Sequence, residues 1–223
     1  MAKQQTDWSK AIKPLLKLYK GRQHPLEYKS IYQLLVMVVL SAQDSDKNIN
    51  NIAPELFKAY PKLKSLVKAK PEDLHRYIGK VRGFVKKADW IIRIAQQIKD
   101  DKNIPLTMEE LTALPGIGRK SANVIMREAG ATAEGVMVDL HVLRVAPRLG
   151  IATGDKPDKI EKQIMEVIPE KDWADTGMSI SYLGRETCRP TDPKHAECVM
   201  NSVCEYYKEL TKKPAKKPAA KKK

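Results

Sequence analysis

The chain has 223 residues, 42% of them hydrophobic, with a net charge of +14 and three cysteines. That length and composition suit one large domain or two small lobes with real cores, and exclude a chain that is disordered or membrane-embedded as a whole. Seven lysines and no acid fall in 212–223, which leaves the remainder at +7; a basic folded part points to a polyanionic partner, nucleic acid ahead of an anionic membrane, against the plainer reading of a solubilising surface. The opening residues Met1 to Trp8 hold no apolar signal core, and the longest apolar run, Leu34 to Leu40, is too short to span a bilayer. The expected location is therefore the cytoplasm, in contact with the nucleoid, or the nucleus if the source is eukaryotic.

Apolar residues recur with a 3.6-residue period almost throughout, and no stretch sustains strand-like alternation, so the fold class is all-α. Trp8, Ile12, Leu15, Leu16 and Tyr19 mark a first helix. Residues 28–42 read as a far more apolar second one, central to a core. Further helices are predicted over 46–59, 62–68, 72–79, 85–99, 107–113, 119–129, 140–149, 157–167 and 171–186. Breaks fall between them at His24-Pro25, Tyr60-Pro61, Lys70-Pro71, Gly83, Ile104-Pro105, Gly116/Gly118, Gly130 and Gly150. The lysine-rich end, 212–223, is low-complexity and expected to be disordered, either attracting phosphates in a salt-sensitive way or serving as a passive solubility tail.

Between the helices at 107–113 and 119–129 runs Leu114-Pro115-Gly116-Ile117-Gly118-Arg119-Lys120. Pro115 stops the first helix, and two glycines around one apolar residue allow a tight turn with bare backbone. Its N–H groups, together with the positive end of the next helix, suit a phosphate; Ile117 would anchor the turn from below. Such a turn grips a duplex backbone without reading sequence. Gly-x-Gly alone would fit an ordinary link between packed helices. The longer string Leu-Pro-Gly-Ile-Gly-Arg-Lys-Ser-Ala, however, resembles the helix-hairpin-helix DNA glycosylases, and among them the endonuclease III family.

Lys120 falls in the first helical turn, where the dipole disfavours a cation. A partly desolvated pocket would leave some of its amine free to form a Schiff base. On its own, a lysine here is commonly a phosphate contact. The resemblance implies that Lys120 is the nucleophile that attacks C1′ of the damaged nucleotide. Asp139 opens the helix at 140–149 and is by type a good N-cap. Val138-Asp139-Leu140-His141-Val142-x-Arg144 resembles the segment of the family that carries its essential aspartate. It implies that Asp139 stabilises charge at C1′ and assists proton transfer. His141 and Arg144 are assigned supporting or phosphate-contacting roles.

The three cysteines cluster near the C-terminus, with Cys188, His195, Cys198 and Cys204 spaced C-x6-H-x2-C-x5-C. The family has cysteine at all four places, binding a [4Fe-4S] cluster. Histidine at the second keeps three readings open: a cluster with one imidazole ligand, structural zinc, or no metal. Arg189 and Lys194, inside this loop, are candidate phosphate contacts. Leu40-Ser41-Ala42-Gln43-Asp44-Ser45-Asp46 resembles the family's Leu-Ser-Ala-Gln-x-x-Asp, which implies that Gln43 fills the vacated base stack and Asp46 lies by the lesion pocket. The opposite-strand wedge should fall in Val81–Ala88, where Arg82 and Phe84 compete for it.

The resemblance covers nearly all of residues 8–208. It implies two helical lobes with a DNA cleft between them: a helical barrel over 25–135 containing the helix-hairpin-helix (107–130), and a cluster lobe over 136–211 joined by the N-terminal helix of 1–24. The implied function is base excision repair by a glycosylase with AP lyase activity, acting as a monomer on double-stranded DNA that contains a damaged base or an abasic site. The alternatives are a single-function mispair glycosylase and a non-catalytic helix-hairpin-helix binding module. Lys120 argues against the first, and the presence of both Lys120 and Asp139 against the second.

Overall fold

The computed structural model describes residues 6–212. Those residues contain helices, turns and loops and no β-strand, as the all-α reading requires. No helix among them is long and apolar enough to cross a membrane. Contacts divide the chain into two compact units, one spanning Gly21–Met137, the other joining the N-terminal segment up to Lys20 with Val138 onward.

The first unit is built on the helix Ile31–Ser41. Its residues from Leu34 to Leu40 are all buried, as is Tyr32, because it packs against Asp46–Ala59, Phe84–Ile98 and Arg119–Glu128. Helix burial on every side removes the amphipathic stripe a surface helix shows. Each such Leu or Val side chain contributes roughly 1.5–3 kcal/mol. The helix starts at Ile31 rather than at residue 28, because the Ser30 hydroxyl accepts the Gln33 N–H at 3.3 Å and fixes the N-cap. Ser45 caps Asp46–Ala59 in the same way, through the Asn48 N–H at 3.1 Å. Leu63–Leu66, Pro71–Ile78 and Met108–Ala113 complete the helices of this unit.

The second unit pairs Leu140–Leu149 with Trp173–Glu186 over most of their length. Close approach is enforced at Gly184, where a Cβ would come within 2.9 Å of the His141 Cβ and 3.0 Å of Val145 Cγ2. The expected single N-terminal helix is two short ones, Trp8–Ala11 and Lys13–Leu18, separated at Ile12. Pro14 explains the break: it lacks an N–H and is tolerated only in a helix's first turn. Pro157–Val167 and Glu205–Lys212 complete this unit; the latter helix was not foreseen. It also takes in Lys212, the first residue of the expected disordered tail, whose other residues, 213–223, lie outside the described part.

Candidate active site and DNA interface

The hairpin emerges from local chemistry. Met108–Ala113 is capped by Thr107, whose hydroxyl accepts the Glu110 N–H at 3.3 Å. The chain then turns, closed by the Ile117 N–H donating to the Leu114 carbonyl at 3.2 Å. Gly116 has φ +80°, and a Cβ there would lie 2.5 Å from Trp90 Cε3. Two independent constraints therefore demand glycine: the left-handed backbone and the indole packed beneath it. Leu114 and Ile117 are 7% and 5% exposed. Ile117 is the expected anchor. Leu114, expected among the DNA contacts, turns its side chain to the core and supports the turn from inside. Gly118 is exposed and holds the N-cap position of Arg119–Glu128, so no capping side chain crosses the start of that helix, as a phosphate site there requires.

Arg119 and Lys120 are both exposed in the first turn of this helix. Arg119 reaches back with Nη2 3.5 Å from the Glu134 carbonyl oxygen. Lys120 is thus exposed in this structure rather than desolvated.

Asp139 is the N-cap of Leu140–Leu149, accepting the His141 and Val142 N–H groups on Oδ1, both at 2.9 Å. Its other oxygen accepts the Ser181 hydroxyl at 2.7 Å and lies 3.9 Å from Arg185 Nη2. Ser181 is fully buried. The carboxylate is thus held on both oxygens, and Ser181 and Arg185 belong to its setting although sequence reasoning passed them over. Arg144 spends Nη2 on the carbonyls of Gly184 (2.9 Å) and Cys188 (3.2 Å), where the Trp173–Glu186 helix gives way to the cysteine loop. Its Nε is buried with no hydrogen-bond partner, so Arg144 braces the loop rather than pointing outward. Burial lowers its pKa, opposed by Cys188 and Asp139 and reinforced by Arg148.

In the loop, Cys188, His195, Cys198 and Cys204 line one small cavity together with Leu149, Leu183 and Tyr206. None of the cysteines is in a disulfide. Arg148 pins the loop by donating to the Arg189 and Pro190 carbonyls, at 2.8 and 3.3 Å, and places Nη1 3.5 Å from Cys188 Sγ. Three thiols and an imidazole around one cavity, with two guanidiniums beside Cys188, fit the donor chemistry of a thiolate-ligated group. The ligand shell itself is not drawn together: among the described residues no three His, Cys, Asp or Glu side chains form a metal-binding group. The His195 ring instead stacks on Tyr207, with centroids 5.2 Å apart and planes 16° from parallel. Burial pushes the Cys198 and Cys204 thiols up. Arg189 is exposed; Lys194, also exposed, pairs with Glu197 at 3.3 Å.

The remaining expected contacts lie in the first unit. Gln43 is exposed and has φ +58°. Asp46 is the first residue of its helix, with Ser45, not Asp46, at the cap. Phe84 packs edge-on against His75, centroids 5.0 Å apart, whereas Arg82 is exposed. Arg82 is therefore the freer of the two wedge candidates.

The helical fold agrees with the comparisons to known proteins. The model of the HhH-GPD superfamily of base excision DNA repair proteins matches residues 36–170. Endonuclease III of Synechocystis sp. is 37% identical over 192 residues, which cover 85% of this chain and 88% of that protein. Two solved structures match with TM-score 0.79: a trapped endonuclease III–DNA covalent intermediate in its estranged-adenine complex, and a non-covalent endonuclease III–DNA complex. They are 29% and 30% identical, cover 90% and 91% of this chain, and are themselves covered to 95%. The chain belongs to the HhH-GPD superfamily of base excision DNA repair proteins, as a DNA-binding enzyme of the glycosylase/AP lyase class.

Proposed function

We propose that the protein excises damaged bases, oxidised pyrimidines foremost, from double-stranded DNA and then cuts the strand 3′ to the abasic site by β-elimination. The observation that carries this reading is Lys120, an exposed amine in the first turn of the helix that leaves the Leu114–Gly118 turn. A phosphate held by the backbone of Gly116 and Gly118 and by Arg119 brings the sugar–phosphate chain to that amine. The neutral amine of Lys120 attacks C1′. The C1′–N bond breaks, and the base leaves with a proton. The amine then becomes a Schiff base to the opened sugar. Loss of a C2′ proton expels the 3′ phosphate, and water releases the lysine.

Asp139 supplies the negative charge that stabilises the cation developing at C1′ and assists the proton transfers. Its hold on both oxygens supports this role, because a carboxylate already oriented by N–H and hydroxyl donors need not reorganise during the reaction. Gln43 enters the stack vacated by the extruded nucleotide, Asp46 lies by the lesion, Arg82 enters from the opposite strand, and Arg189 and Lys194 add phosphate contacts. Cys188, Cys198 and Cys204 with His195 hold a [4Fe-4S] cluster, whose role when bound is to fix this loop. The enzyme works as a monomer, on DNA in the nucleoid or nucleus.

The test uses a duplex containing one oxidised pyrimidine, with borohydride added during turnover. The expected result is a covalent protein–DNA adduct, together with a strand break in the unreduced reaction, both lost in Lys120→Ala. An adduct that persists in a folded Lys120→Ala protein removes Lys120 from the mechanism. Base release without adduct or strand break, retained in that variant, makes the enzyme a single-function glycosylase.

A further inference from the structure

The two loops of the first unit that are read as entering the duplex, Ala42–Ser45 and Lys80–Gly83, are joined by a set of contacts to which no role has been given. The helix Ile31–Ser41 ends with carbonyls that lack helical partners. Lys87, only 5% exposed, takes two of the carbonyls at this end: its Nζ donates to Leu40 O at 2.7 Å and to Ala42 O at 2.6 Å. One residue further on, Gln43 stands in the left-handed region, an uncommon place for a residue with a side chain. Asp44 then clasps the loop from the other side. Its Oδ1 accepts the Ser45 N–H at 2.8 Å and the Asn48 amide at 3.0 Å, and its Oδ2 accepts the Arg82 N–H at 2.9 Å. The same Asn48 amide donates to the Lys80 carbonyl at 3.3 Å. Lys80 and Arg82 thus reach the Gln43 loop through their backbones, which leaves the exposed Arg82 side chain for another task.

We infer that Asp44, Asn48 and Lys87 are positioning residues that lock the Gln43 loop to the Arg82 loop, so that both side chains are presented to the duplex as one rigid device. This rests on the reading of Gln43 as the residue that fills the stack. Two features support it. Asp44 is charged at neutral pH: burial pushes its carboxyl up, but the Arg82, Asn48 and Ser45 donors outweigh that and hold it below its ordinary value. Lys87 is buried, and its two bonds to the Leu40 and Ala42 carbonyls, with the nearby Asp44 charge, replace the water it gives up, so the ammonium is committed to the end of the Ile31–Ser41 helix and to the first residue of the Gln43 loop.

The test is a duplex with a stable abasic-site analogue opposite 2-aminopurine, whose fluorescence rises when the base is unstacked. The full chain is added to saturation and its affinity measured alongside. Wild type is expected to raise the signal, and Gln43→Ala to lose the rise. Asp44→Ala is expected to weaken the equilibrium for insertion about tenfold, the scale of one hydrogen bond to a charged group, while the Kd for the same duplex changes by less than about threefold because the hairpin is untouched. Added to Gln43→Ala, it should have no further effect, an outcome that a general loss of structure would not give. Asp44→Asn, which keeps one acceptor oxygen and loses the other, decides the matter where the alanine variant is too unstable: it should fall between wild type and Gln43→Ala. If Gln43→Ala leaves the rise intact, the stack-filling reading fails and the coupling with it. If Gln43→Ala loses the rise while Asp44→Ala, Asp44→Asn and Lys87→Met keep it, the coupling alone is overturned.

Discussion

Replacing Gly116 with alanine tests the hairpin at its tightest point. The residue has φ +80°, and an added Cβ would sit 2.5 Å from Trp90 Cε3 and 3.0 Å from Cδ2 and Cζ3. The left-handed backbone costs an L-residue roughly 1–2 kcal/mol. Forcing a methyl group into packed atoms adds roughly 1–3 kcal/mol. Gly116→Ala should therefore destabilise the protein by about 2–5 kcal/mol, read from urea unfolding followed by helical circular dichroism. The two contributions separate in a double-mutant cycle. Trp90→Ala removes every ring atom that the new methyl meets, so in that background Gly116→Ala should cost only the roughly 1–2 kcal/mol of the backbone. The coupling should appear again in binding: Gly116→Ala should weaken affinity for an abasic-analogue duplex, and Trp90→Ala should restore part of it. Additive costs, within about 0.5 kcal/mol, would refute the reasoning, because the indole would then not be what shapes the turn.

Four other outcomes are expected. Asp139→Asn keeps an N-cap side chain of nearly equal quality and should leave stability close to wild type while abolishing base release, whereas Asp139→Ala should also lose about 0.5–2 kcal/mol of stability; base release by Asp139→Asn at the wild-type rate would leave Asp139 a cap and nothing more. Protein purified without oxygen should contain iron and acid-labile sulfide in equal amounts and absorb visible light, and loss of that absorption should follow Cys198→Ser; zinc in stoichiometric amount with no sulfide would replace the cluster. Because the pKa of Asp44 is depressed in the fold, its tether stabilises the native state fully above the carboxyl's ordinary value and is lost as pH falls through the lowered one, so the stability gap between wild type and Asp44→Asn should be constant at neutral pH and close on acidification; a gap that widens in acid contradicts the assignment. Truncation after Lys212 removes six lysines and should flatten the dependence of log K on log salt by roughly 0.9 for each phosphate they neutralise, and an unchanged slope marks a passive tail.

What the sequence disclosed follows from which signals are local. Asp46–Ala59 and Pro157–Val167 match their predicted bounds because a cap or proline starts each one and the apolar period runs cleanly to its end. The break at Ile12 was written in Pro14 but masked by an apolar pattern that continues across it. Glu205–Lys212 was missed because its Tyr206, Tyr207 and Leu210 sit next to a lysine-rich stretch that reads as tail. Lys120 and Asp139 stood out because a hairpin and a helix start announce themselves in a few consecutive residues. Lys87, Ser181 and Trp90 did not, since their partners lie at least 26 residues away in the chain, at Leu40 and Ala42, Asp139 and Gly116. A signal was present for one of them. Lys87 falls in register with the buried Ile91, Ile94 and Ile98 of its helix, and a lysine in the apolar register needs a partner inside.

Three of the loops proposed to meet DNA each contain a residue with positive φ, and the residue type found there follows from what the loop needs. Gly116, Gly83 and Gln43 all have positive φ, at +80°, +67° and +58°. At the hairpin and in the Lys80–Gly83 turn, glycine takes that conformation without steric cost, and at Gly116 the Trp90 ring leaves no room for a side chain. In the Ala42–Ser45 loop the side chain is the working part, so glycine is excluded there and the chain carries a strained glutamine instead, at a cost of roughly 1–2 kcal/mol. Net hydrogen bonds to charged groups are worth roughly 1.5–3 kcal/mol each, so the bonds of Lys87 and Asp44 on either side of Gln43 are enough to offset that strain. The same argument accounts for their unequal legibility. A glycine in a turn is visible as a letter in the sequence, whereas a strained glutamine becomes intelligible only when the lysine and aspartate that hold it are seen in space.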